Sequence, residues 1–275
     1  RGGARLEGAQ EVVTQARGLG RLKAALHPWI DPALSLPDHW RAARALAGLA
    51  GGTYRSPTGV PYVAQFASPE RIYDYIHRGY DGTHDPRWQT FGATEPGEYA
   101  FWAPRVCALA CIKMAVEAFY PQRQPTLWQL VKEGLAADGY RLRDERGRWI
   151  DEGWTVHAQI YLAARYGLRT QDRAYVSPLT ICRYIVDVWL VAATVTPEIG
   201  EREPAGNSYG GHLVLVYGFD WEAARPARYY VHNPSGRFPE LQAGAIVPAE
   251  KFHASFAHRL LAFRPAAEHH SPGDA

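Results

Sequence analysis

The sequence predicts an α+β domain, and three observations carry that assignment. Helical apolar periods fill the chain as far as residue 186, and strand-like runs dominate after it. That order lacks the βαβ alternation of a parallel sheet, so an antiparallel sheet is expected, with the helices segregated from it. Between Pro104 and Tyr120 nearly every residue is apolar, which predicts a helix buried inside the domain and ended by Pro121.

Taken in order, Leu6, Val12, Val13, Ala16, Leu19, Leu22 and Leu26 recur at helical spacing until Pro28 stops the run. A second helix is expected over Asp38–Leu49, closed by Gly51-Gly52, and Ser56-Pro57-Thr58-Gly59 marks a turn. Residues 1–55 thus read as a helical N-terminal extension. The main domain is expected over 56–265, and it opens on a short β-like run, Val60–Gln65. An aromatic, loop-rich insertion follows over 66–103, too long for a simple connection. Further helices are expected at Thr126–Ala137, at Trp154–Tyr166, and at Leu179–Val186 behind the N-cap pair Ser177-Pro178. Strands are expected at Val188–Val195, His212–Phe219, Arg228–His232, Ala245–Val247 and His258–Phe263. Residues 266–275 read as a flexible tail, with His269-His270 as end-of-chain polarity.

Composition narrows the function. With 275 residues, 47% hydrophobic and 12% aromatic, the chain is globular and long enough for a sizeable core. A net charge of +2 with no basic run gives no case for nucleic acid. No apolar run approaches the roughly 20 residues of a membrane span. Three cysteines hold no disulfide framework, which makes a reducing cytoplasm the expected compartment. The arginine-over-lysine bias, with abundant Ala, Gly and Pro, suggests a GC-rich bacterial genome. The sequence opens at Arg1 without an initiator Met, which fits a trimmed presequence as well. His77, His84, His157 and His253 lack ligand spacing, and HExxH and CxxC are absent, so neither metal nor cofactor is expected.

Chemistry concentrates on Cys107, His212 and Asn233. Cys107 falls in the first turn of the buried helix, where free N–H groups and the dipole favour thiolate. Cys111 lies one turn later without that help, and Cys182 reads as a small core residue. His212 follows Gly210-Gly211 and opens a strand; the next strand ends at Asn233-Pro234. A hairpin centred between residues 222 and 223 places Asn233 beside His212, where an amide oxygen can orient the imidazole. Equally ordinary readings exist: a core cysteine, a strand-start histidine bonded to a loop, and a turn-forming asparagine.

Four segments in this order are similar to the C39-like cysteine peptidases of the papain-like superfamily: Val60–Gln65, Cys107–Met114, Gly211–Asp220 and Val231–Pro234. The resemblance runs over roughly residues 58–264 and is to the stand-alone type, without transporter domains. It implies a papain-like fold, a buried central helix packed on an antiparallel sheet. It implies Cys107 as nucleophile, His212 as general base and acid, Asn233 as the orienting residue and Gln65 as an oxyanion-hole donor. Trp102, Tyr99 and Gly211 are the expected substrate-binding residues. The sequence departs from the family at Val106 and Ala108, where an acidic or amide residue and a glycine are usual. It departs also at Asn233, commonly Asp, and in the 42 positions (107 − 65) separating Gln65 from Cys107. The implied activity is hydrolysis of a peptide or amide bond through an acyl-enzyme. Transfer of the acyl group to an amine, in a tailoring enzyme, and a silent papain-like binding module are the alternatives. The expected partner is a peptide or an amide-bearing small molecule, with no nucleic acid or membrane.

Overall fold

The computed structural model describes residues 27–56, 59–143, 147–148, 150–204, 206 and 208–266. The expected helical run from Leu6 to Leu26 and the His269-His270 tail lie outside these residues. Seven strands make one antiparallel sheet: β1 (Gly52–Arg55), β2 (Leu168–Ala174), β3 (Leu190–Val195), β4 (His212–Glu222), β5 (Arg225–His232), β6 (Ala245–Pro248) and β7 (Phe256–Pro265). Their order is β2-β7-β3-β4-β5-β6, with β1 beside the second half of β4. The fold is mixed helix and antiparallel sheet, as the sequence predicts.

Alternation along β3 and β4 divides the core into two layers. Leu190, Ala192, Leu213 and Leu215 face the helix Cys107–Phe119, which is buried along most of its length. Val191, Ala193, Val195, Val214 and Val216 face the helix Pro178–Val186 and Phe252 on the other side. The central helix has almost no polar face because it is enclosed by the sheet, by Leu127–Ala136 and Val156–Arg165, and by the aromatic insertion. Thr126, Thr155 and Ser177 cap the helices that follow them, each accepting from a first-turn N–H.

Several expectations are corrected. The second helix is Leu36–Ala45, starting and ending earlier than Asp38–Leu49, and residues 27–34, Pro28 among them, are helical. Val60–Gln65 joins no strand. It runs past the end of β5 instead, held by His232 Nε2 on Val60 O (2.9 Å), Tyr62 Oη on Asn233 O (3.1 Å) and Gln65 N on Pro234 O (2.9 Å). β1 and β2 carry no apolar alternation strong enough to announce them; β2, Leu-Arg-Thr-Gln-Asp-Arg-Ala, is a half-exposed edge strand held by backbone pairing to β7. The aromatic insertion forms a compact unit of short helices, in which Asp85 accepts from Ser68 (2.6 Å), Tyr75 (2.7 Å) and Tyr99 (2.7 Å).

The β4–β5 hairpin turns more tightly than the expected Asp220–Pro226. Glu222 pairs with Arg225, leaving Ala223 and Ala224 as a two-residue turn with φ of 47° and 60°. Left-handed backbone disfavours alanine by about 1–2 kcal/mol per residue. Replacing the pair by Ala223→Asn with Ala224→Gly should raise stability by about 1–2 kcal/mol. Urea unfolding tests this: the midpoint should rise at constant slope, and an unchanged midpoint would show the turn to be unstrained.

Candidate active site

The central helix begins at Cys107, and its N-cap residue Val106 offers no side chain to the free first-turn N–H groups. Those donors stay available for other partners. The thiol stands among them: Cys107, Ala108 and Leu213 of β4 line one cleft, and the backbone N–H groups of all three act to lower the thiol. Burial outweighs all three and pushes the Cys107 thiol above its ordinary range. The helix terminus favours thiolate as the sequence suggests, but burial is the larger influence. Cys111 and Cys182 are fully enclosed, and burial pushes Cys182 up to about 12.

His212 and Asn233 are brought together, though not by the simple register. The observed pairing, Leu215 with His232, carried beyond the end of β5 sets Ser235 opposite His212. Asn233 then reaches back, because its Oδ1 also accepts from Ser235 N (3.1 Å) in a tight turn. His212 Nε2 donates to Asn233 Oδ1 at 2.8 Å, and Ser235 Oγ stands 3.2 Å from the same nitrogen. Asparagine oxygen can only accept, so the proton sits on Nε2 and Nδ1 keeps a lone pair. Beneath this turn Arg237 is ion-paired to Glu201 (2.8 Å) and donates to Ser235 O (3.0 Å). Burial pushes His212 down to about 4, with the Asn233 bond opposing and the Arg237 charge assisting.

Among the described residues no hydrogen bond joins Cys107 to His212. Alternation explains this: Leu213 points to the central helix, so His212 shares the parity of Val214 and Val216 on the other face. Cys107 therefore shares its cleft with Leu213, one residue beyond the imidazole. Gln65 ties the two halves together. Its backbone N–H donates to Pro234 O (2.9 Å), and its side-chain Nε2 donates to Ala103 O (3.0 Å), one turn before Cys107.

Cys107 opens on a cleft of about 340 Å³ lined also by Arg105, Tyr140, Asp151, Trp154, Gln159, Thr194, Gly211 and Leu213. Gly211 stands where the sequence puts it, in left-handed backbone with φ of 88° immediately before β4. Tyr99 does not reach the cleft. It is fully buried, and its hydroxyl is spent on Asp85 and on Ala67 N–H (3.0 Å). Trp102 sits behind the wall, 5.2 Å from the Tyr140 ring and 5.7 Å from Trp154. The walls themselves, Tyr140 and Trp154, escaped the sequence reading because they meet through an isolated bridge between a loop and a helix start. Ser235 and Arg237 escaped it as ordinary turn residues.

No family model matches the chain, and a comparison with curated proteins finds no match. Solved structures do match. The chain is similar to C39-like peptidase domains. A C39-like peptidase from Bacillus anthracis aligns at TM-score 0.40 and 14% identity, over 58% of this chain and 88% of that one. The peptidase domain of Streptococcus ComA, a bi-functional ABC transporter, aligns at TM-score 0.38 and 13% identity, over 59% and 93%. A double glycine motif protease from an AMS/PCAT transporter, in complex with a leader peptide, aligns at TM-score 0.36 and 19% identity, over 58% and 84%.

The depressed His212 has a consequence for stability. The unfolded chain binds the proton near the ordinary value of 6.5, before the folded chain does at about 4. Its contribution is thus full above pH 6.5 and is lost as pH falls toward 4, by about 3 kcal/mol. Urea midpoints should fall over that window, and His212→Gln should flatten the fall; an equal slope in the variant would contradict the burial of a neutral ring.

Proposed function

We propose that the protein is a cysteine hydrolase that cleaves a peptide or amide bond through Cys107. The observation that carries the reading is the His212–Asn233 bond at 2.8 Å, which leaves Nδ1 free one residue from Leu213, a neighbour of Cys107 in the cleft wall. A proton-holding Nε2 fixed by an amide oxygen, beside a thiol at an uncapped helix start, is the constellation that nucleophilic catalysis needs.

In this reading the resting pair is neutral. In the reacting state His212 turns about the start of β4 toward the helix terminus, and Nδ1 takes the Sγ proton as sulfur attacks the carbonyl carbon. The developing oxyanion is met by first-turn N–H groups and by the second N–H of Gln65 Nε2, whose first is held by Ala103 O. His212 then returns its proton to the leaving nitrogen, leaving a thioester on Cys107. Water, deprotonated by His212, hydrolyses that thioester and restores the thiol. Asn233 orients the ring and carries no charge. The Cys107–His212 contact is missing because ring and thiol stand on opposite faces of β4, so the reading requires the ring to turn past the start of that strand. That same missing contact favours the second reading, a silent module.

Iodoacetamide separates the two. Cys107 should be alkylated ahead of the enclosed Cys111 and Cys182, at a rate that climbs above neutral pH because its thiol is shifted upward. Equal labelling of all three, mapped by mass spectrometry, would sink the assignment. With p-nitrophenyl acetate as acyl donor, Gln65→Ala should lower kcat on the order of a hundredfold. Asn233→Ala should slow turnover while Asn233→Asp retains it, since either oxygen accepts the Nε2 bond. Full activity in Asn233→Ala would remove the orienting role, and turnover as low in Asn233→Asp as in Asn233→Ala would contradict an acceptor-only one.

A further inference from the structure

Gln159 is 6% exposed, yet it lines the cleft that holds Cys107. It stands in the first turn of Val156–Arg165, directly behind the Trp154 wall. Its Nε2 donates to Trp154 O at 3.1 Å, which fixes the amide's orientation and leaves Oε1 as the atom presented to the cleft. Among the described residues nothing donates to that oxygen. Trp154 is itself pinned from the other side, its indole Nε1 donating to Arg105 O at 2.9 Å, two residues before the nucleophile. The free acceptor is thereby held at a set position relative to Cys107 and cannot swing away without breaking the bond to Trp154 O.

An acceptor that faces a cleft and has no protein donor is open to an N–H from whatever fills that cleft, and is left unpaired if the filling group has none. We infer that Gln159 Oε1 accepts a backbone N–H on the acyl side of the substrate, so that the cleft selects a peptide chain with an unsubstituted amide there. This rests on the cysteine-hydrolase reading above and narrows its substrate class: peptides whose acyl-side amide is tertiary or N-alkylated are discriminated against. A site built to bond an N–H rejects analogues lacking it, because the acceptor is then left unpaired.

The probe is acetyl-alanyl-alanyl chloromethyl ketone, compared with the same compound N-methylated at one amide or the other. In each case Sγ displaces chloride from the chloromethyl carbon and the thiol proton is released. Wild-type Cys107 should be inactivated at least tenfold more slowly by one N-methyl form. In Gln159→Met the ratio of the two rates should collapse to about one, and because it is a ratio, changes in thiol reactivity cancel. Should Gln159→Met not fold, Gln159→Lys keeps a donor for Trp154 O while removing the acceptor, and should lose the ratio likewise. Equal rates for all three compounds in wild type, or a ratio that survives in the variant, overturn the inference. Alkylation of Cys107 by iodoacetamide but by none of the ketones also overturns it while leaving the hydrolase reading in place. Inertness of Cys107 to every reagent removes both.

Discussion

The site depends on the uncapped N-terminus of the central helix being seated against the first residues of β4. A capping side chain at Val106 would satisfy the first-turn donors and leave nothing for sulfur or an oxyanion. Seating the helix there requires a face apolar all round, because the sheet lies on one side and the aromatic insertion on the other. The insertion is thus the cover that allows Cys107 to begin a buried helix, and its tyrosines are committed to Asp85 to hold that cover shut.

Two ties bring the His212 half to the Cys107 half. Gln65 spans from Pro234 O to Ala103 O, and Leu213 of β4 lines the same cleft as Cys107. Burial also favours the neutral form of both side chains, raising the Cys107 thiol and lowering the His212 imidazole to about 4. A charged thiolate–imidazolium pair would have to be desolvated at rest, at a cost that neutrality avoids. Base chemistry is still open to such a site, since a ring unprotonated at every pH above about 4 holds its lone pair ready. The buried Arg237–Glu201 pair beneath the Asn233 turn adds rigidity to the acceptor side.

Much of this was legible in the sequence for physical reasons. An apolar helix interrupted only by Lys113 and Glu117 has no place but the core, and Cys107 at its first turn follows from Pro104. The juxtaposition of His212 and Asn233 followed from a hairpin, although the true turn at Ala223-Ala224 shifts the register and hands the direct position to Ser235. Other features left no signal. β1 and β2 are held by backbone bonds that any sequence can make, and Val60–Gln65 looks like a strand because extended backbone bonded to a strand end has the same residue preferences. Tyr99 was mistaken for a cleft residue because aromatic composition cannot distinguish a wall from its support. Gln159 was invisible, since a single glutamine in an amphipathic helix acquires meaning only when one end of its amide is found engaged and the other free.

The central claim is that Cys107 carries the acyl group and His212 is its base. The most direct measurement is peptide mapping of the protein quenched in acid during turnover of p-nitrophenyl acetate. The account predicts an acetyl group on Cys107 in the wild type, no adduct on any cysteine in Cys107→Ala, and much slower acetylation of Cys107 in His212→Ala. Acetylation spread over Cys107, Cys111 and Cys182 alike, or equally fast at Cys107 without His212, would contradict it.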